Sequence, residues 1–202
     1  MRKVNKILLS ILIISFIILL VLVKLEKTMN IDTDIYNFII KIKSDHLTNM
    51  VKIITNLGST FVIVTIIIVS FLLFRKKIYP ILIASNILGV VLVNQTLKHL
   101  VMRPRPEFLH LVEESGFSFP SGHSMAAFGF YGYFIYLINI SNINKKIKII
   151  LTILLSILII IIGLSRVYLG VHYLSDILAG FIMSFIYLIV FTTITKKYIN
   201  HE

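Results

Sequence analysis

The sequence predicts an all-α fold: an integral membrane bundle of six transmembrane helices, forming a single domain of 202 residues. Three observations predict it. Hydrophobic residues make up 57% of the chain and charged residues only 14%, whereas a soluble domain has about 25% charged residues. The apolar residues form runs close to the ~20 residues that cross a bilayer core. The unusual polar residues cluster at the ends of these runs, on one side of the membrane.

Six apolar runs are the predicted spans, at residues 7–23, 51–74, 78–97, 122–140, 147–164 and 172–194. The first is interpreted as an uncleaved helix, because the charged segment 24–27 follows it where a signal peptide would have a small-residue cleavage site. Apolar residues between positions 35 and 42 recur at rough helical spacing. They predict an amphipathic helix at the membrane surface.

Charge predicts the orientation. The net charge is +11, and 11 of the 20 basic residues lie on the side of the two termini. Four of the other nine belong to the motifs below, so the positive-inside rule predicts cytoplasmic termini in the cell membrane. Basic residues flank apolar runs, so no nucleic-acid partner is expected. The absence of cysteine excludes disulfides and thiolate chemistry, and the sequence does not determine the oligomeric state.

Polar residues from four helix ends meet at the predicted outer face. They are Lys98 and Arg105 after the third span, Pro120 to His123 at the start of the fourth, Ser165 and Arg166 at the end of the fifth, and His172 and Asp176 at the start of the sixth. Ionisable residues at membrane depth are costly and usually functional. Three cations, two histidines and a carboxylate suit an anion that has several oxygens.

The segment around Lys98 can bind such an anion. Pro104 and Pro106 stop the helix and hold the chain extended, so Arg105 can present its planar guanidinium to a phosphate beside the ammonium of Lys98. Without the other motifs, Lys98 and Arg105 would be interpreted as snorkelling residues at the membrane edge. Arg103 is assigned that structural role.

The segment Pro120-Ser121-Gly122-His123 precedes an apolar helix. Ser121 is a natural N-cap, and the free amides of Gly122 and His123 would point at an anion with the helix dipole behind them. An ordinary capped helix start with an incidental histidine is the alternative.

His172 and Asp176 are four residues apart and share one helix face. The carboxylate can hold one imidazole N–H and leave the other nitrogen free to attack, although such a pair is also common on helix surfaces. A metal site of two histidines and a carboxylate is conceivable. It is disfavoured because Lys98, Arg105 and Arg166 would repel a cation.

Together these segments resemble the signature of the type 2 phosphatidic acid phosphatase superfamily. The family pattern is Lys-x6-Arg-Pro, then Pro-Ser-Gly-His, then Ser-Arg-x5-His-x3-Asp, and every fixed position matches in the right order. Size and layout are most similar to the bacterial phosphatidylglycerophosphatase B type, whose members also cleave undecaprenyl diphosphate.

The resemblance implies a metal-independent lipid phosphatase without a cofactor, working through phosphohistidine. His172 would be the nucleophile, Asp176 would orient it, and His123 would be the general acid. The phosphoryl oxygens would be bound by Lys98, Arg105, Ser121, Gly122 and Arg166. The expected substrate is undecaprenyl diphosphate or phosphatidylglycerophosphate, held in the bilayer.

Three alternatives remain open from the sequence. The chain could bind or transport an anionic lipid without turnover, although broken helices at the membrane midplane would be typical of that. Haloperoxidases share the motifs, although they resemble larger soluble proteins. A phosphatase could also act on another phosphate, such as phosphatidic acid, a sphingoid phosphate or a sugar phosphate.

Overall fold

Helices are the only regular secondary structure between residues 3 and 200, the part of the backbone that this computed structural model describes; side chains are described for residues 6–199. The helices are α1 (Lys3–Lys24), α2 (Met29–Ile40), α3 (Asp45–Asn56), α4 (Thr60–Leu73), α5 (Ile78–Val101), α6 (Gly122–Ile140), α7 (Lys145–Tyr168) and α8 (Leu174–Asn200). The all-α prediction is confirmed.

Within these residues, α1, α5, α7 and α8 are long and apolar enough to cross a membrane. The pair α3 and α4 would be a fifth span if the two helices act as one. The remaining predicted span coincides with α6, whose bounds are those expected from the sequence. This helix is long enough to cross but less apolar, since glycine, histidine and serine occupy its first turn.

Helix α6 lies at the centre and packs against α5, α7 and α8. Because lipid is as apolar as a leucine side chain, small residues and interhelical hydrogen bonds hold such helices together. A Cβ atom at Gly129 or Gly132 would lie within 2.8 Å of Val90 or Leu188, so these glycines allow close helix contact. Asn86 of α5 donates to the Gly129 carbonyl at 2.8 Å.

The prediction of one continuous second span over residues 51–74 is wrong. Helix α3 starts earlier, at Asp45, and the two helices meet at a 45° bend between Asn56 and Thr60. The break follows from Gly58 and from Ser59, whose hydroxyl caps α4 by accepting from the Val62 amide at 3.4 Å. A Cβ at Gly58 would lie 2.8 Å from Ile162 of α7. The glycine therefore allows the break between α3 and α4 to pack closely against α7.

The polar stretch after the first span contains the amphipathic helix that its apolar spacing predicted. Helix α2 turns Asp32 and Tyr36 into the protein, where both are buried. Its other side presents Ile31 and Phe38, which are 64% and 71% exposed. A helix with one buried face and an exposed apolar edge suits the membrane surface.

Four helix termini meet at one end of the bundle: the ends of α5 and α7 and the starts of α6 and α8. The loop of residues 102–121 crosses this end and is fixed by backbone hydrogen bonds. Leu111 donates to the Leu169 carbonyl at 3.0 Å, and Ser121 donates to the Asp176 carbonyl at 3.1 Å. All the predicted site residues are therefore brought to the same end.

Candidate active site

A cavity of about 540 Å³ opens at this end of the bundle. Five of the eight predicted site residues line it: Lys98, Arg105, Gly122, His123 and His172. The other three lie directly behind its wall. Ser121, Arg166 and Asp176 are each no more than 1% exposed, and they contact the residues at the surface of the cavity or the helix start that forms it.

The imidazole of His172 and the carboxylate of Asp176 form the centre of the site. Nδ1 of His172 lies 3.4 Å from Oδ2 of Asp176 and 3.2 Å from the hydroxyl of Ser118. The same carboxylate oxygen accepts from the Ser118 hydroxyl at 2.5 Å and from the Tyr173 amide at 3.0 Å. These bonds fix the carboxylate so that it holds Nδ1 in place.

Arg105 faces the other nitrogen of this imidazole. Its guanidinium donates to the carbonyl oxygens of Ser115, Gly116 and Val171 at 2.8, 3.1 and 2.9 Å. Its Nη1 also lies 3.2 Å from Nε2 of His172. A guanidinium can only donate, so Nε2 is the acceptor. The proton is then on Nδ1, and the Nε2 lone pair faces the cavity.

The protonation of His172 follows from its surroundings. Burial is the main influence on the pKa of His172 and lowers it to about 4. The hydrogen bond and the charge of Asp176 act in the opposite direction, whereas Arg105 and Arg166 lower the pKa further. The imidazole is therefore neutral at pH 7, and its Nε2 carries no proton.

Lys98 and the start of α6 form the opposite wall. Nζ of Lys98 donates to the Phe117 carbonyl. Ser121 caps α6, its hydroxyl accepting from the Ser124 amide at 3.4 Å, so it acts on the helix and lies outside the cavity lining. The earlier amides, of Gly122 and His123, belong to the first turn, which has no intrahelical acceptors. They are available to an anion in the cavity.

The sequence did not single out Glu114, although its carboxylate lies among the cations. Oε1 forms an ion pair with Nη2 of Arg166 and lies 3.9 Å from Nδ1 of His123. Oε2 lies 3.6 Å from Nη2 of Arg105. Nothing in the loop sequence distinguishes Glu114 from its neighbour Glu113, because only the folded loop brings one of them to the cations.

The pKa of Glu114 shows how strongly the cations act. Burial raises this pKa and is the largest single influence on it. Interactions with Arg166, His123, Arg105 and His172, of which that with Arg166 is the largest, together outweigh burial and leave the pKa below its ordinary value. The carboxylate is thus ionised at pH 7 and occupies the position that suits an oxyanion.

Arg166 reaches the site from the end of α7. Its Nη1 donates to the Thr55 hydroxyl at 3.0 Å. Its Nε is buried without a hydrogen-bond partner among the described residues. The side chain is therefore held by Thr55 and Glu114, while its Nε donor is unused.

The assignment of Arg103 to the membrane edge is wrong. This side chain is only 8% exposed and lies inside the protein. Its Nη1 contacts Oδ1 of Asp176 at 2.7 Å, and its Nη2 contacts Oδ2 of Asp32 at 3.0 Å. Sequence reasoning missed this because the partner, Asp32, is 71 residues away in the chain.

The chain is similar to known membrane phosphatases. Residues 78–199 match the PAP2 superfamily. The chain is 33% identical over 170 residues to phosphatidylglycerophosphatase B of Bacillus subtilis (strain 168), covering 82% of this chain and 84% of that protein. It superposes on the crystal structure of a transmembrane PAP2 type phosphatidylglycerolphosphate phosphatase from Bacillus subtilis with a TM-score of 0.86 and 30% identity, covering 94% and 96% of the two chains.

A second crystal structure, of Aquifex aeolicus LpxE, shares the fold. Its TM-score is 0.65 at 22% identity, over 80% of this chain and 94% of that one. Apolar helices around a cavity of cations and histidines define a multi-pass membrane phosphatase, a phosphoric monoester hydrolase. The chain belongs to the PAP2 superfamily, as its three motifs indicated, and it is similar to the phosphatidylglycerophosphatase B type within it.

Proposed function

We propose that this chain, as one domain of 202 residues, removes a terminal phosphate from a membrane lipid by a metal-independent route through phosphohistidine. The observation that carries the proposal is the position of the His172 imidazole, which lines the cavity with its Nε2 3.2 Å from Nη1 of Arg105. An unprotonated nitrogen beside fixed cations is the arrangement that nucleophilic attack on a phosphoryl group requires.

In the first step Nε2 of His172 attacks phosphorus and the P–N bond forms. The bond from phosphorus to the lipid oxygen breaks. His123, which takes up a proton when the negatively charged phosphate binds beside it, gives that proton to the oxygen. Asp176 retains the Nδ1 hydrogen bond and stabilises the positive charge that develops on the ring.

In the second step water attacks phosphorus and the P–N bond breaks. His123, now neutral, takes a proton from the water. Inorganic phosphate leaves, and both histidines return to their starting states.

The charges around the cavity suit a phosphate. Lys98, Arg105 and Arg166 carry three positive charges, and Glu114 carries one negative charge, which leaves an excess of two. A phosphate monoester carries about −1.5 to −2 at pH 7. Its oxygens would take donors from the three cations and the Gly122 amide, with Ser121 fixing the helix start, and would compete with Glu114 for Arg166.

A lipid substrate is supported by the wall of the cavity. Apolar Val90, Val91 and Ala126 continue from the polar end along α5 and α6. Val91 is 45% exposed on the outside of the bundle, so the cavity reaches a surface that faces hydrocarbon. A lipid tail can remain in the bilayer while its phosphate meets the cations.

Two substrates fit best. The relative from Bacillus subtilis is named for phosphatidylglycerophosphate, whereas an outward-facing site favours undecaprenyl diphosphate. Other lipid phosphates, such as phosphatidic acid, are the alternative. Membership of a phosphatase family argues against lipid binding without turnover. So does the unprotonated histidine beside the cations, because binding alone does not need a nucleophile.

The purified protein is expected to release phosphate from one or both of these lipids with an excess of chelator present. The assay would compare undecaprenyl diphosphate, phosphatidylglycerophosphate, phosphatidic acid and a soluble ester, and the ranking would name the substrate. Release that stops when chelator is added would overturn metal independence. Release from the soluble ester alone would overturn the lipid assignment.

We further propose six spans, cytoplasmic termini and an outward site, with α6 as a span although it is less apolar than the others. Other helices cover α6, so its polar start need not face lipid. The chain lacks cysteine, which permits single-cysteine labelling at the exposed positions Glu107 and Asn142, one on each side of α6.

A membrane-impermeant maleimide is expected to label the Glu107→Cys variant in intact cells. The Asn142→Cys variant should be labelled only after the cells are permeabilised. The reverse pattern would place the site inside, and labelling of both variants from one side would show that α6 does not cross.

A further inference from the structure

The carboxylate of Asp176 has two oxygens with separate tasks. Oδ2 faces His172, Ser118 and the Tyr173 amide, as described above. Oδ1 accepts from Nη1 of Arg103 at 2.7 Å, and both residues are buried. The guanidinium therefore fixes the rotation of the carboxylate, and this rotation determines where Oδ2 meets the imidazole.

Arg103 is in turn held by helix α2. Its Nη2 lies 3.0 Å from Oδ2 of Asp32, which is only 2% exposed. Asp32 also accepts from the amide and the hydroxyl of Ser175 at 2.8 and 2.6 Å. The guanidinium carbon of Arg103 lies 3.9 Å from the centre of the Tyr173 ring. Asp32 thus connects α2 to both Arg103 and the first turn of α8.

The charges explain why Asp176 needs both Arg103 and Asp32 beside it. Asp176 alone would be a buried anion, which is costly to leave unpaired. Arg103 alone would neutralise Asp176 fully and weaken its attraction for a positively charged imidazole. With Asp32 the group of three carries one net negative charge, which remains available to stabilise the ring of His172 when the phosphoryl group is on it.

We infer that Asp32 and Arg103 are positioning residues for the reaction, which fix Asp176 and through it His172. This inference rests on the proposed function, since it assumes that His172 is the nucleophile. Neither residue lines the cavity, so their loss should lower the rate of the chemical step and leave binding of the substrate nearly unchanged. A displacement of about 1 Å at the reacting group can cost about a hundredfold in rate.

The test measures kcat and KM for the best lipid substrate in three single variants, in a control variant and in a double variant. Arg103→Met removes the charge at similar length and is expected to lower kcat by about a hundredfold, with KM within about threefold. Asp32→Asn keeps an oxygen for Ser175 and should lower kcat by about tenfold. Arg103→Lys keeps the charge but reaches only one carboxylate, so it should recover part of the activity that Arg103→Met loses.

The matched control is Tyr36→Leu. Tyr36 is buried on the same helix and stacks on Phe108 at 3.9 Å between ring centres. This variant should lower the thermal midpoint while kcat stays near the wild-type value. A loss of kcat in Tyr36→Leu equal to that in Asp32→Asn would show that loosening of α2 is sufficient, and would overturn the inference.

Two further outcomes separate this inference from the proposed function. Wild-type activity with kcat within twofold of normal in Asp32→Asn and Arg103→Met would overturn the inference alone. Full activity in His172→Ala would overturn the proposed function and the inference with it. The double variant Asp32→Asn with Arg103→Met should be no worse than Arg103→Met alone, because both act on the same carboxylate.

Discussion

Replacement of His172 by alanine is expected to lower kcat for phosphate release by about 10⁴-fold or more, which is the usual cost of losing an enzyme nucleophile. The reason is that Nε2 of His172 is the group that would bond to phosphorus. The measurement is phosphate release by purified protein in detergent, together with quenching of the enzyme in alkaline detergent while it turns over a lipid labelled in its phosphate. Wild type should show an acid-labile, base-stable phosphoenzyme, and His172→Ala should show none.

A buried histidine also fills space, so the control must separate chemistry from folding. His172→Gln keeps much of the volume and a polar end, and it should be as inactive as His172→Ala while its thermal midpoint stays closer to that of wild type. His46→Ala is the matched change at an exposed histidine on α3 and should keep full activity. A labelled phosphoenzyme in either His172 variant would contradict the assignment.

Replacement of His123 by alanine should reduce kcat/KM by about 10² to 10⁴-fold for phosphatidylglycerophosphate, the range expected for a general acid. The leaving oxygen of this lipid is an alkoxide, which needs a proton to depart. The loss should be much smaller for an aryl phosphate, because a phenolate leaves without one. The measurement is kcat/KM on both substrates, since this quantity reports the step in which the leaving group departs.

His123 also has an expected second role, as the base that activates water. The His123→Ala variant should therefore accumulate phosphohistidine on the aryl substrate, where the first step remains fast and the second becomes slow. Equal losses of kcat/KM on the two substrates would show that His123 binds the phosphate and does not protonate the leaving group. His123→Gln serves as the variant that preserves the start of α6.

The pattern of apolar runs predicted the helices well where a run was uninterrupted. Helix α6 begins and ends at the expected residues, because Ser121 is a local N-cap. The second span was mispredicted because hydropathy averages over a window. Gly58 and Ser59 within the apolar run are a local signal for a break. That the glycine allows close packing against Ile162 of α7 is seen only in the folded structure.

The motif residues could be found from the sequence because their chemistry is carried by residue type and spacing. A histidine and a carboxylate four residues apart share a helix face wherever the helix packs. Glu114 and Asp32 had no such pattern. In the sequence each is an ordinary acidic residue near the membrane surface. Only the fold of the loop of residues 102–121, which carries Glu114, and of α2, which carries Asp32, brings them to the site.

The sequence by itself determined the class of the protein: the apolar composition requires a bilayer, and three ordered motifs indicate the PAP2 superfamily. The tertiary structure alone decided which charges are paired. Arg103 and Arg105 are two residues apart, yet one points into a buried ion pair with Asp32 and Asp176 and the other into the cavity. The energy of a charge depends on its burial and on its nearest partners, and both are set by residues distant in the chain.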